Sequence, residues 1–178
     1  MILDLADLKL ALGIQDDDSD SLLTTILENA QKRAENYCDR EFDSQEKTEY
    51  YNGTGTNALL LRRYPITAID SIYDDEDREF DADSEIDTDD IVIDDEIEGR
   101  IIYPDNTFTK SDVKNIKIKY TAGYSEAPED LRQAILDLAI AEFIKKKGAI
   151  NAVEGEEDRV KRLEDEAWDI LDRYKRVR

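Results

Sequence analysis

Histidine is absent from this 178-residue chain, and cysteine and tryptophan each occur once. Without histidine there is no Ser-His-Asp or Cys-His pair and no imidazole metal site. The single cysteine, Cys38, excludes an internal disulfide and a cysteine-built zinc centre. Its place in a helical stretch marks it as a small core residue rather than a nucleophile. No apolar run approaches the ~20 residues that span a bilayer, so no membrane contact is expected. The N-terminus lacks a basic segment followed by a hydrophobic one, so no signal peptide is expected. A Walker A lysine loop and a G-x-G-x-x-G turn after a strand are also missing, which removes the usual phosphate cradles. Positive charge is scarce: 24 Lys and Arg stand against 45 Asp and Glu, a net charge of −21.

What is abundant is carboxylate, and it is unevenly spread. Between Asp70 and Glu98 lie sixteen acids and one base, Arg78, a local charge of −15. Such a surface repels nucleic acid rather than attracting it. It could face a basic partner, bind divalent cations, or keep a protein soluble at high salt. At molar salt the Debye length is about 3 Å, so this much like charge is tolerable there. The segment therefore points to a halophilic source, with an acidic loop region in an ordinary host as the alternative. The acids lie in polar runs, whereas a catalytic acid needs a pocket to raise its pKa. No enzyme chemistry, no cofactor and no metal site is expected from them.

The calcium motif fails on inspection. An EF-hand loop needs Gly at its sixth position and Glu at its twelfth. Counting from Asp16 those positions hold Ser21 and Leu27, and counting from Asp81 they hold Ile86 and Val92. Asp16 to Asp20 reads instead as a source of helix-capping oxygens, and the segment from Asp81 to Asp90 as a solvated acidic surface.

At this length the chain can bury roughly 70% of its unfolded surface, as one domain or a small pair. Three zones follow one another. Residues 1-45 read as helices: Leu5, Leu8 and Leu12 form a short stripe closed by Gly13. Leu22, Leu23, Ile26, Leu27, Ala30, Ala34 and Tyr37 form a second stripe. Residues 46-124 read as β-rich with an acidic loop. Thr48–Tyr51 and Ala58–Leu61 flank Asn52-Gly53-Thr54-Gly55, which predicts a hairpin. Further strands are expected at Ile66–Tyr73, Asp90–Ile93, Gly99–Tyr103 and Val113–Tyr120. Residues 125-178 return to helix, with Leu131, Ala134, Ile135, Leu138 and Ala139 on one face and Lys145 to Lys147 at its end. A last helix from about Glu156 carries Val160, Leu163, Ala167, Ile170, Leu171 and Tyr174. The expected fold is α+β: a helical bundle with a small antiparallel β insertion between its second and third main helices.

Two features suggest contacts. The C-terminal Arg173, Tyr174, Lys175, Arg176 and Arg178 make a basic segment on an acidic chain. They either complement a helix C-terminus or dock onto an acidic groove of a partner. Trp168 lies off the strict stripe, as a core residue or as an anchor for a subunit contact.

The stretch Ile116 to Phe143, IKIKYTAGYSEAPEDLRQAILDLAIAEF, resembles the gp6-like head–tail connector (adaptor) proteins of long-tailed viruses. There a "TAGY" strand end followed by "P-x-D-L-x-x-A" opens a central helix. The opening LADLKLALGIQDDDSDSLLTTILENAQKRAENYCDREF, the segment LLLRRYPITAIDSIY and Gly99-Arg100-Ile101 are similar to other stretches of that family. The resemblance implies a structural virion protein at the head–tail interface, the neck, made in the host cytoplasm. It implies a homo-oligomeric ring, usually a dodecamer, under the portal protein, with a tail-side stopper or tail-completion protein as a further partner. DNA would pass through without specific binding. An acidic wall at Asp74, Asp75, Glu76, Asp77, Asp81 and Asp83 would face the channel or the outer surface, and this stretch is longer than the family's usual loop. The alternative reading is an acidic DNA mimic that blocks a nucleic-acid-binding protein.

Overall fold

A computed structural model describes residues 1–148 and 155–175. The chain divides into a helical unit, Met1–Phe42 with Glu126–Arg178, and a β unit, Asp43–Ser125.

In the helical unit, α1 spans Leu5–Leu12. Asp4 and Asp7 form a capping box, the Asp4 carboxylate accepting the Asp7 N–H at 3.0 Å. Gly13 closes the helix at φ 69°, a conformation that glycine adopts without strain. Helix α2, Asp20–Cys38, starts at Ser19, whose side chain makes no capping bond. The expected capping by Asp16 to Asp20 is therefore corrected. Lys9 of α1 reaches this cluster, its Nζ lying 2.8 Å from Asp17 and 2.7 Å from Asp20. Asp16 accepts the N–H of Asp18 within the turn. The ammonium offers these carboxylates a full positive charge, where the helix end offers only a partial one.

The buried face of α2 runs through Leu23, Ile26, Leu27, Ala30, Ala34 and Cys38, whereas Leu22 is exposed. Helix α3, Glu129–Gly148, is the centre of the unit and packs against α1, α2 and α4. That explains why burial spreads beyond Leu131, Ala134, Ile135, Leu138 and Ala139 to Ile140, Ala141 and Ile144. Helix α4, Glu156–Leu171, buries Val160, Ala167 and Leu171 and ends in a 3-10 turn, Asp172–Tyr174. Among the described residues no helix is long and apolar enough to cross a membrane.

The β unit holds two antiparallel sheets. The strands are β1 Gln45–Tyr51, β2 Ala58–Leu60, β3 Ile66–Asp74, β4 Glu85–Ile86, β5 Val92–Asp95, β6 Arg100–Ile102 and β7 Ile116–Ala122. One sheet has the order β1-β7-β3-β4 and the other β2-β6-β5. In β7 every second residue, Ile116, Ile118, Tyr120 and Ala122, points into a core shared with Ile72, Ile101 and Phe108.

The expected hairpin is not formed, because β1 pairs with β7 and β2 with β6. Asn52 to Asn57 cross from one sheet to the other. Gly53 is needed because a Cβ there would run into the carbonyl of Thr109. Its N–H donates to Asn115 Oδ1 at 2.7 Å, and the buried Asn115 amide donates onward to Asp74 Oδ1 at 2.7 Å. The last strand begins at Ile116 rather than at Val113. Val113 is exposed and Lys114 takes φ 56°, which no strand residue adopts. Strand β4 was not expected at all. At the end of β7, Gly123 has φ 109° and lies against the Asp43 backbone, leaving no room for a side chain.

Candidate assembly surfaces

The acidic segment is locally ordered by its own carboxylates. Asp74 ends β3 and accepts the Thr109 N–H at 2.6 Å. Asp75 accepts the N–H groups of Phe80 at 2.6 Å and Asp77 at 2.9 Å, and the Phe80 bond leads in holding its carboxyl below the usual range. Arg78 and Phe80 adopt positive φ of 63° and 52° in that turn. Asp81 caps the 3-10 turn Ala82–Ser84 and accepts the Asp83 N–H. Asp87 caps a second 3-10 turn in the same way. Glu76, Asp77, Asp81 and Asp83 are exposed. Among the described residues no three carboxylates come together as a metal site would require.

Above the acidic turn lies a cross-strand ladder. Tyr50, Lys117 and Tyr73 are paired neighbours on β1, β7 and β3. Lys117 Nζ sits 4.8 Å from the centre of the Tyr73 ring, and Phe80 folds back to 5.5 Å from the Tyr50 ring. On the opposite face, Glu49 accepts the hydroxyls of Tyr51 and, at 2.8 Å, of Tyr120. Arg63 Nε lies 3.5 Å from Glu49, and the Arg62 guanidinium stacks on Tyr51 at 4.6 Å. Burial works against the Glu49 charge, but the two phenols and the two arginines outweigh it and hold its pKa below the ordinary value. The same burial pushes both tyrosine pKa values up. This cluster ties β1 and β7 to the Arg62-Arg63 link that leads out of β2. Sequence alternation places Tyr120 inward but gives no sign of its partner Glu49, which lies 71 residues away.

At the C-terminus, Arg173 pairs with Asp130 at 3.0 Å, and the Tyr174 hydroxyl donates to the same carboxylate at 2.5 Å. Tyr174 also packs edge-on to Phe42. Lys175 Nζ lies 2.7 Å from Asp172 and 4.0 Å from the centre of the Tyr37 ring. The bond to Asp172 leads in raising the Lys175 pKa. These three side chains hold the last turn to α2 and α3. Arg176 and Arg178 lie outside the described residues. Trp168 is half-buried, 4.7 Å from the Tyr37 ring and under the Arg33 guanidinium at 5.6 Å. Cys38 is buried, and burial pushes its thiol up to about 11, which keeps it protonated and inert.

Large apolar side chains left in solvent are few. On the helical unit they include Leu10 and Leu22, and on the β unit Leu60, Val92, Ile97 and Val113.

The model of the head completion protein family matches residues 1–177. No curated protein matches. Among solved structures, the neck of an empty gene transfer agent (GTA) particle computed with C6 symmetry contains a similar chain. Its TM-score is 0.66 at 16% identity, over 99% of this chain and 91% of that one. The neck of a native GTA particle computed with C12 symmetry gives 0.62 at 16% identity, over 99% and 90%. A virion of native GTA gives 0.63 at 16% identity, over 99% and 91%. At this identity the likeness is one of fold.

Proposed function

Because this chain belongs to the head completion protein family, a family of head–tail connectors, we propose that it is a ring-forming subunit of the neck, seated under the portal. The observation that carries the reading is the family match, which runs along almost the whole chain. The C6 and C12 symmetries of the two GTA necks support many copies around one axis, and a dodecamer is the ring proposed here. In such a ring one heterologous contact repeats until it closes, leaving no open end.

The role is structural, and its mechanism is geometric and electrostatic. A net charge of −21 repels DNA phosphates, so DNA passes through without specific binding. Asp74 and Asp75 are occupied in closing turns, which leaves Glu76, Asp77, Asp81 and Asp83 as the part of the segment that faces outward. The charge of that exposed surface suits a protein that must not adhere to DNA. Trp168, half-buried against Tyr37, is the proposed anchor of a subunit contact.

The basic C-terminus is the proposed portal contact. Arg173, Tyr174 and Lys175 brace the last turn, and carboxylates of the portal are the proposed partners of the following Arg176 and Arg178. The opposite rim then meets the tail-side stopper protein. Electron microscopy of negatively stained protein, alone and mixed with its portal, tests the reading at low and multi-molar salt. Rings with a central hole are expected. Single subunits under every condition, portal included, would overturn it. Arg176→Glu with Arg178→Glu should abolish portal binding while leaving the fold intact, and unchanged binding would sink the C-terminal contact alone.

A further inference from the structure

The three-stranded sheet has a second face that the described residues leave partly open to solvent. Leu59 and Ile101 point into the core, and Ile93, their neighbour in register, packs against it. The opposite face carries Ala58, Ile102 and Val92 in one cross-strand row and Leu60 beside Arg100 in the next. Val92 is 49% exposed and Leu60 62%. The β5–β6 hairpin beside them bears Asp94, Asp95, Glu96 and Glu98 against Arg100 alone, which is paired with Asp94. The face is thus an apolar spot with an acidic edge.

The same unit also carries the complement. The segment from Thr109 to Lys114 has two lysines and one acid, Asp112, and presents Val113 at 51% exposure. It is held at both ends. Phe108 and Asn115 are fully buried, and the Asn115 amide donates to the Thr109 carbonyl at 3.0 Å. The Lys114 N–H donates to Asn52 Oδ1 at 2.9 Å while the residue holds φ 56°. Lys110 lies so close over Gly55 that a Cβ there would come within 3.0 Å of the Lys110 Cβ. A tip already fixed in one conformation loses little entropy on docking.

The geometry points to a head-to-tail contact in which the outer face of this sheet in one copy receives the Thr109–Lys114 tip of the next copy. Val113 covers Leu60 and Val92, while Lys110 and Lys114 meet the acids of the β5–β6 hairpin. The partner is a second copy because both halves, an apolar spot edged with acid and an apolar tip edged with lysine, stand on one chain. Two different patches in contact form a heterologous interface, the kind that closes a ring. The inference rests on the ring reading above and assigns its lateral contact.

Sedimentation velocity of the full chain at fixed concentration and salt, with ring counts by microscopy, tests it. Leu60→Glu with Val92→Glu should weaken association about 100-fold, because it places charge in a closed apolar contact. Lys110→Glu with Lys114→Glu should do the same, and adding Glu96→Lys with Glu98→Lys should restore rings. Circular dichroism checks that each variant is folded. In a Cys38→Ser background, mixing Leu60→Cys and Val113→Cys proteins should give a disulfide between unlike copies, since that bond needs Cα atoms within about 7 Å. Folded variants that form rings like the parent, or no mixed disulfide within rings, would overturn this contact and leave the ring standing. A parent protein that forms no rings either alone or mixed with its portal would overturn both.

Discussion

Glu49 of the β unit and Asp137 of the helical unit are both shielded from water, and the two are held in opposite ways. In the β unit, Glu49 receives two phenol hydrogens and faces two arginines, so its charge is favoured although it is largely removed from water. In the helical unit, Asp137 lies on α3 with 5% of its surface exposed. It receives one amide hydrogen, from Gln133 at 2.8 Å, and feels the like charge of Glu166. Burial therefore wins, and its pKa is raised. The difference lies in the supply of partners: Glu49 has enough donors and cations to stay charged, whereas Asp137 has one donor and a like-charged neighbour.

The contrast breaks most sharply at the points each unit cannot spare. Gly123→Ala should destabilise the β unit most, by about 4 kcal/mol, combining a left-handed backbone with overlap on Asp43. Hydrogen exchange should speed up across β1, β3 and β7 first, and protection equal to the parent's would refute the close approach. In the helical unit the corresponding weak point is a methylene-rich one. Leu138→Ala, fully buried on α3, should cost about 3 kcal/mol in urea unfolding. A cost below about 1 kcal/mol would mean that α3 is not the centre of that core.

How far the sequence reveals each unit follows from the same division. The helices are legible because their signals are local: Leu8 lies in α1 and Gly13 directly closes it, and the stripe of α3 recurs every three or four residues. The local signal misleads at Asp16 to Asp20, where Lys9 of another helix holds Asp17 and Asp20 in ion pairs. The β unit was legible in its strands but not in their pairing. Asn52-Gly53-Thr54-Gly55 carries the residues of a hairpin turn, yet Gly53 serves a close approach to Thr109, 56 positions away. Nothing local separates the two uses. Tyr120 could be assigned to the core by alternation, but Glu49, Tyr51 and Arg63 could not be assigned to it. Their grouping exists only after β1 and β7 have paired. For the contact residues, composition marked the basic C-terminus, whereas the internal engagement of Arg173, Tyr174 and Lys175 required the structure.

The polar interior of the β unit gives it a distinct response to acid. With the folded pKa of Glu49 below its ordinary value of 4.5, its contribution is complete above that value. It is lost as pH falls through the folded pKa. Glu49→Gln should cost about 2 kcal/mol at neutral pH, because a charge-assisted pair of bonds becomes a neutral one. Parent and variant stabilities should converge in acid. A cost that stays constant with pH would show that the charge of Glu49 contributes nothing to the cluster.

Asp137 should show the opposite sign at a smaller size. Its folded pKa is raised above the ordinary 3.8, so the protonated form is favoured in the folded chain. At low pH both folded and unfolded states are neutral and there is no penalty. As pH rises through 3.8, the unfolded chain ionises first, and stability falls until the folded pKa is passed. Asp137→Asn keeps the shape and the acceptor for Gln133 while removing the charge that Glu166 opposes. The variant should therefore match the parent near pH 3 and be more stable at pH 7, by about 1 kcal/mol. Stability curves in urea across that range decide it. A gain confined to neutral pH would show that α3 carries an acid its own core disfavours, whereas a loss at pH 7 would show that the carboxylate is needed there as an anion.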